Sequence, residues 1–189
     1  ADRFDATSFA LHGLWPQPRG YEYCGVSPAN RTLDRQRKWS MLPPISLSAA
    51  TRARLAVRMP GAVSYLHRHE WIAHGTCYGA PAEAYFAVSL ALLDQLNRSG
   101  VRALFAANIG KPLRLSQIRA AFDKSFGAGA GQRINVVCKK DQARRLITEL
   151  RISLAGTIGS VPSLAKLLAA APKITSNCGV GIVDPVGLQ

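Results

Sequence analysis

The sequence has no run of eighteen apolar residues, so it holds no segment long enough to cross a bilayer as a helix, and no membrane partner is expected. It has no Cys-x-x-Cys. Its four cysteines, Cys24, Cys77, Cys138 and Cys178, are widely spaced, which argues against a zinc ribbon. The first residues, Ala1-Asp2-Arg3-Phe4-Asp5, carry no leader pattern, so if the protein is exported that segment is expected to be gone already. No internal repeat and no linker-like stretch interrupts the chain. With 189 residues, 48% of them hydrophobic, one domain with a real core is expected over residues 1–189.

Acidic residues are scarce. Asp and Glu number 11 against 24 Lys and Arg, a formal net charge of +13. Such an excess concentrates polyanions around the protein and favours contact with phosphates. Charge alone leaves nucleic acid, an acidic membrane surface and no polyanionic partner all open. The even cysteine count reads as two disulfides and an oxidising compartment, the alternative being four buried thiols in a cytosolic protein. Four cysteines allow three pairings, and the spacing does not choose among them.

Phe9 to Leu14 reads as a buried strand, broken by Pro16, Pro18 and Gly20. Ser27 to Lys38 is a basic loop or short helix. Ser48 to Met59 reads as a helix capped by Ser48 and ended by Pro60-Gly61. Pro81 opens a longer helix to Asn97, with Tyr85, Val88, Leu92 and Leu96 on one face, widened by Phe86 and Leu93, and Gly100 as its stop. Ser116 to Phe126 and Pro162 to Ala171 are further helices. Ile134 to Cys138, the alternation at Leu150, Ile152 and Leu154, and Gly179 to Val183 are strands. Helices dominate the first half and strands the second. The expected class is α+β: one domain, a central antiparallel sheet flanked by helices.

Histidine is also rare, and its placement is uneven. Of four, His67, His69 and His74 fall within eight residues, and His12 lies in a second dense stretch. His69-Glu70-Trp71-Ile72-Ala73-His74-Gly75-Thr76-Cys77 combines two imidazoles, a carboxylate, an indole and a thiol. Were this stretch helical throughout, five residues would turn the rings of His69 and His74 about 140° apart. A shared metal needs a spacing of three or four on a helix, so no metal and no cofactor are expected. Imidazole both gives and takes protons near neutrality. Cleavage of RNA at its own 2′-hydroxyl needs that pair of roles, plus a third group to stabilise the phosphorane, and requires no protein nucleophile.

Phe9-Ala10-Leu11-His12-Gly13-Leu14-Trp15-Pro16 and the His69–Cys77 stretch resemble the two active-site segments of the RNase T-two family, metal-independent endoribonucleases. The resemblance implies roles. His12 would be the general acid on the 5′-leaving oxygen, and His74 the general base on the 2′-hydroxyl. His69 would bind the phosphate, and Glu70 would assist there. Trp15 would stack on the base 5′ of the cut with Tyr23 as partner, giving low base specificity. Trp71 is read as core packing. The family implies single-stranded RNA as substrate, 2′,3′-cyclic phosphate ends hydrolysed on to 3′-phosphates, and the pairing Cys24–Cys77 and Cys138–Cys178. A secreted or periplasmic monomer is expected.

Two departures qualify the likeness. The family usually has Lys immediately before the position matched by His74, where this chain has Ala73. Arg68, Lys139 and Lys140 are candidates to replace that charge, and an RNA-binding relative with faded catalysis is the alternative function. A metal-dependent nuclease or peptidase is a more distant one. Secondly, the family usually places a strand well ahead of the first segment, and only eleven residues precede His12 here, so that strand is expected to be missing.

Overall fold

The structure is a computed structural model describing residues 3–185. Ala1 and Asp2, the start of the segment read for a leader, lie outside the described residues. Two compact units are distinguished, Ala10–Leu93 and Ala1–Phe9 with Asp94–Gln189.

In the first unit, α1 (Pro28–Arg35) starts at Ser27, whose hydroxyl accepts from the Asn30 N–H, with Pro28 at the first helical position. Its one buried residue is an acid, Asp34. Helix α2 (Ala49–Arg58) is capped as its sequence implies, with Ser48 accepting from the Thr51 N–H. Glu83 secures that cap by accepting from the Ser48 N–H and hydroxyl, each at 2.8 Å, and from the Thr51 hydroxyl. Helix α3 (Leu66–Ala73) carries the organising stretch, and α4 (Ala82–Asn97) follows. Leu47, Leu55, Met59, Tyr85, Phe86 and Leu90 form one core, against which Leu11, Leu14 and Trp71 pack. Tyr23, Leu42, Ile72 and Ala73 form a second, flanked by Trp39 and Trp71.

The stretch expected as a strand at Phe9–Leu14 pairs with no strand among the described residues. Leu11 instead donates to the Arg58 carbonyl, and Leu14 exchanges hydrogen bonds with the Tyr85 hydroxyl. These contacts partner the Leu11 N–H and both Leu14 backbone groups without a ladder.

In the second unit, Gly100 is not a stop. Ser99 caps a new helix there, α5 (Gly100–Ala106), by accepting from the Val101 N–H. Next come β1 (Pro112–Arg114), α6 (Leu115–Phe126), β2 (Ile134–Asp141), β3 (Arg144–Ile152), α7 (Leu164–Ala170) and β4 (Val180–Val183). They include one four-stranded sheet in the order β1-β4-β3-β2. The architecture is α+β, and the β1–β4 and β2–β3 pairs are antiparallel. The β3–β4 pair is parallel, which the long α7 connection permits and a tight turn would not. Opposite Val137 and Cys138, β3 carries one extra residue, Thr148. That bulge resets the alternation, so Ile147 shares a face with Leu150 and Ile152.

Both disulfides are present, Cys24–Cys77 in the first unit and Cys138–Cys178 in the second.

Candidate active site

The predicted catalytic residues His12, His69, Glu70 and His74, with Trp15, Tyr23 and Arg68, lie in the Ala10–Leu93 unit. His12 and Trp15 come from the extended stretch before α1. His69 and Glu70 come from the middle of α3. His74 follows the last helical residue, with φ −121° and ψ −48°. Its N–H still donates to the Glu70 carbonyl, but its side chain has left the helical progression. The 140° separation expected for a continuous helix therefore does not hold. The rings of His69 and His74 stand edge to face, with centroids 5.8 Å apart.

Glu70 sits at the middle of the group. It is fully buried. Its Oε2 accepts from the Trp15 indole N–H at 2.8 Å. Its Oε1 is 3.5 Å from His12 Nε2 and 3.9 Å from His69 Nε2, and has no hydrogen-bond partner among the described residues. Burial pushes its carboxyl up to about 7, against the opposing pull of His12, the Trp15 N–H and His69. A carboxyl with that value is protonated through the acid range.

The histidines are driven apart. Burial, reinforced by the charge of His69, pulls His74 down to about 4. Its Nδ1 is buried without a partner among the described residues, so no hydrogen bond holds a proton there. Burial alone would also lower His69, but the hydrogen bond and charge of Asp34, with Glu70 behind them, carry it upward. His12 is half exposed, and its ring meets Trp15 edge to face at 5.1 Å. Trp15 also lies 5.6 Å from the His74 ring, so one indole borders imidazoles from both segments.

Among the described residues, His69, Glu70 and His74 each offer an atom within 4.8 Å of the other two, close enough to share an ion. The spacing argument against such grouping assumed an unbroken helix, and the turn at His74 removes it. The values of Glu70 and His74 separate a proton-holding carboxyl from a proton-accepting imidazole, which is the division acid–base chemistry requires.

Two expected substrate-binding residues occupy other places. Tyr23 is 9% exposed. Its hydroxyl donates to Asp34 Oδ2 at 2.8 Å, and the guanidinium groups of Arg31 and Arg35 lie over its ring at 5.8 and 5.5 Å. It is packed as a support and is not presented beside Trp15 as a second stacking platform. Arg68 donates through one terminal nitrogen to the carbonyls of Ser40 and Leu42, at 2.9 and 2.7 Å. Its guanidinium lies on the Tyr65 ring. It pins the 3-10 turn Trp39–Met41 to α3 through that nitrogen. Lys139 and Lys140, the other candidates, are exposed on β2 of the second unit. Ala73 is 1% exposed within the second core cluster, and Trp71 packs against Tyr85 as its core reading implies.

The sequence reading passed over two residues. Asp34 is 3% exposed, and its carboxylate oxygens lie 2.8 and 3.0 Å from His69 Nδ1. Trp39 stacks on the His69 ring, with centroids 4.9 Å apart and planes 19° from parallel. The available signal was that Asp34 is the one acid in the otherwise basic stretch 27–38.

An acid–base cluster of this kind on an α+β scaffold is the equipment of a phosphodiester-cleaving enzyme. Residues 2–164 match the Ribonuclease T2 family, and the chain belongs to it. Ribonuclease I of Escherichia coli (strain K12) is 30% identical over 199 aligned positions, covering 96% of this chain and 73% of that protein. Ribonuclease 1 of Arabidopsis thaliana is 31% identical over 127 positions, covering 65% of this chain and 53% of that protein. The protein is an endoribonuclease.

Proposed function

We propose that the protein cleaves single-stranded RNA by transphosphorylation, with His74 as general base and His12 as general acid. The neutral His74 takes the proton of the 2′-hydroxyl. The 2′-oxygen attacks phosphorus, the bond from phosphorus to the 5′-oxygen breaks, and His12 gives its proton to that oxygen. A 2′,3′-cyclic phosphate remains. In the second step His12, now neutral, deprotonates water. The hydroxide opens the ring, and the protonated His74 returns its proton to the 2′-oxygen, leaving a 3′-phosphate.

The phosphorane formed in each step carries extra negative charge on its oxygens. Glu70, protonated in the acid range, has an unoccupied Oε1 beside His12 and His69 from which to donate to such an oxygen. His69 places its Nε2 alongside. Trp15, half-buried and held by Glu70, is the aromatic set to stack on the base 5′ of the cut, and stacking tolerates any base, so specificity is low. No group in this scheme needs a metal.

The observation that carries the reading is the convergence of three imidazoles, drawn from two separate segments, on one buried carboxylate. We read the whole chain as a single ribonuclease domain acting as a monomer. We read it as secreted or periplasmic, a reading that its two disulfides support because such bonds persist in oxidising compartments. Among the described residues no helix is long and apolar enough to cross a membrane.

The test is incubation with single-stranded RNA in excess EDTA, with analysis of the ends produced. Cyclic-phosphate ends that convert slowly to 3′-phosphates are expected. Binding without cleavage, or cleavage abolished by EDTA, overturns the mechanism.

A further inference from the structure

If the cluster is a ribonuclease site as proposed above, one feature of it lies outside the roles already assigned. His69 is held by two residues from outside its own helix. Asp34, from α1, faces its Nδ1 with both carboxylate oxygens, at 2.8 and 3.0 Å. Trp39 covers one face of the ring. The indole N–H of Trp39 donates back to the Asp34 carbonyl at 3.3 Å, so the stacking partner and the carboxylate are braced against each other.

Asp34 is in turn fixed from behind. The Tyr23 hydroxyl donates to its Oδ2, and Tyr23 itself is held in the left-handed backbone region at φ +57°. For a bulky aromatic this conformation is costly. Here it is enforced by the Tyr23 N–H donating to the Ala73 carbonyl and by Arg31 donating to the Tyr23 carbonyl. The chain of contacts therefore runs from Ala73 through Tyr23 and Asp34 to His69.

We propose that Asp34 is a positioning residue that keeps His69 as an imidazolium with its Nε2–H turned toward the scissile phosphate, so that this histidine delivers the positive charge which Ala73 does not bring. A carboxylate at 3% exposure is costly without a cationic or strongly donating partner. An imidazolium Nδ1–H is that partner, and it leaves the Nε2–H as a second donor. The arrangement differs from a simple tautomer lock, because stacking on Trp39 also favours the cation. The titratable groups facing His69 are Asp34 from α1, Glu70 from α3, His74 at the end of α3 and His12 from the N-terminal stretch. Of these Asp34 is the closest, and the upward direction of the His69 equilibrium agrees with its dominance.

The experiment is a pH titration of the histidine ring resonances by NMR in the intact protein and in Asp34→Asn, combined with pH–rate profiles of both on a dinucleotide substrate. There are only four histidines, and His69→Gln assigns the signal. In the unaltered protein His69 is expected to stay protonated well above the pH at which His74 titrates. In Asp34→Asn its titration moves to lower pH. The alkaline limb of kcat moves with it, giving a fall of roughly tenfold or more near pH 7 that recovers toward acid pH, where His69 is protonated without help. KM changes little by comparison.

A His69 that is already neutral at pH 6 in the unaltered protein overturns the proposal with no variant needed. So does an Asp34→Asn that loses rate equally at every pH, since a merely structural role gives that uniform loss. The ring titration does not depend on catalysis. If RNA is not cleaved at all but the titration behaves as described, the ribonuclease mechanism fails and the Asp34–His69 ion pair stands.

Discussion

A Cβ atom built on Gly13 would fall 1.8 Å from Oε2 of Glu70 and 2.8 Å from the Trp15 indole nitrogen. The residue after His12 thus has no side chain because the buried carboxylate occupies its place. Gly13→Ala is expected to push Glu70 out of its bond with Trp15. Turnover should fall by a factor of about 10²–10³, the usual effect of losing one transition-state donor. Steady-state kcat and KM measured on the variant check this, and wild-type kcat would contradict the packing described.

The pH dependence of activity should be set on its acid side by His74. Its neutral form is the base, and burial holds its pKa at about 4. The rate is therefore expected to persist down to roughly that pH and to fall below it as the imidazole protonates. An acid limb near the ordinary histidine value, measured in the unaltered enzyme, would assign the base to a different group.

Stability should respond to Glu70 in the opposite sense to most carboxylates. Its folded pKa is raised to about 7 from an unfolded value near 4.5. The neutral form is the one the fold favours, so its contribution is fully present below the unfolded value and is lost as pH rises through about 7. The loss amounts to at most about 3 kcal/mol. Glu70→Gln, which cannot ionise, should gain stability relative to the unaltered protein between pH 4.5 and 8, as read from urea unfolding at both ends. A difference that does not change with pH would mean the carboxylate is charged in the fold throughout.

Reduction of Cys24–Cys77 should loosen the site. That disulfide joins the loop after Trp15 to the 3-10 turn after His74, and it closes a separation of 53 residues. A loop of that size corresponds to roughly 4 kcal/mol in the chain-entropy account. Cys24→Ala with Cys77→Ala is expected to lower both the melting temperature and kcat. An unchanged kcat at a temperature where the variant is folded would show that the bond serves stability alone.

Replacing Ser48 with Ala removes the cap of α2 and leaves Glu83 without one of its three hydrogen bonds. The Ser48 N–H remains to Glu83, so the cost should lie near 1 kcal/mol in urea unfolding, with activity preserved.

Much of this protein is legible in the linear chain because the features concerned are local. Ser48 ahead of an apolar repeat is a helix start wherever it occurs, and the buried face of α4 follows from a 3.6-residue period that needs no partner to be recognised. His12, His69, Glu70 and His74 were visible as candidates because four rare, reactive side chains fell into two dense segments. Other features depended on contacts between distant residues. Gly100 reads as a stop until Ser99 is seen to cap the next helix, and the alternation in β3 changes phase at Thr148 only because β2 lies beside it.

The sequence by itself determined the chemistry that is available: imidazoles, one adjacent carboxylate, a basic surface and four cysteines. The tertiary structure decided which of those groups share an environment. It turned His74 off the end of α3 so that its ring meets His69, buried Tyr23 behind Asp34, and tied Arg68 to two carbonyls. It also brought Asp34 to His69 from 35 residues away. The physical reason is the same in each case. Proton affinity and hydrogen-bond partnership are set by burial and by neighbours a few ångströms distant, and those neighbours exist only once the chain has folded.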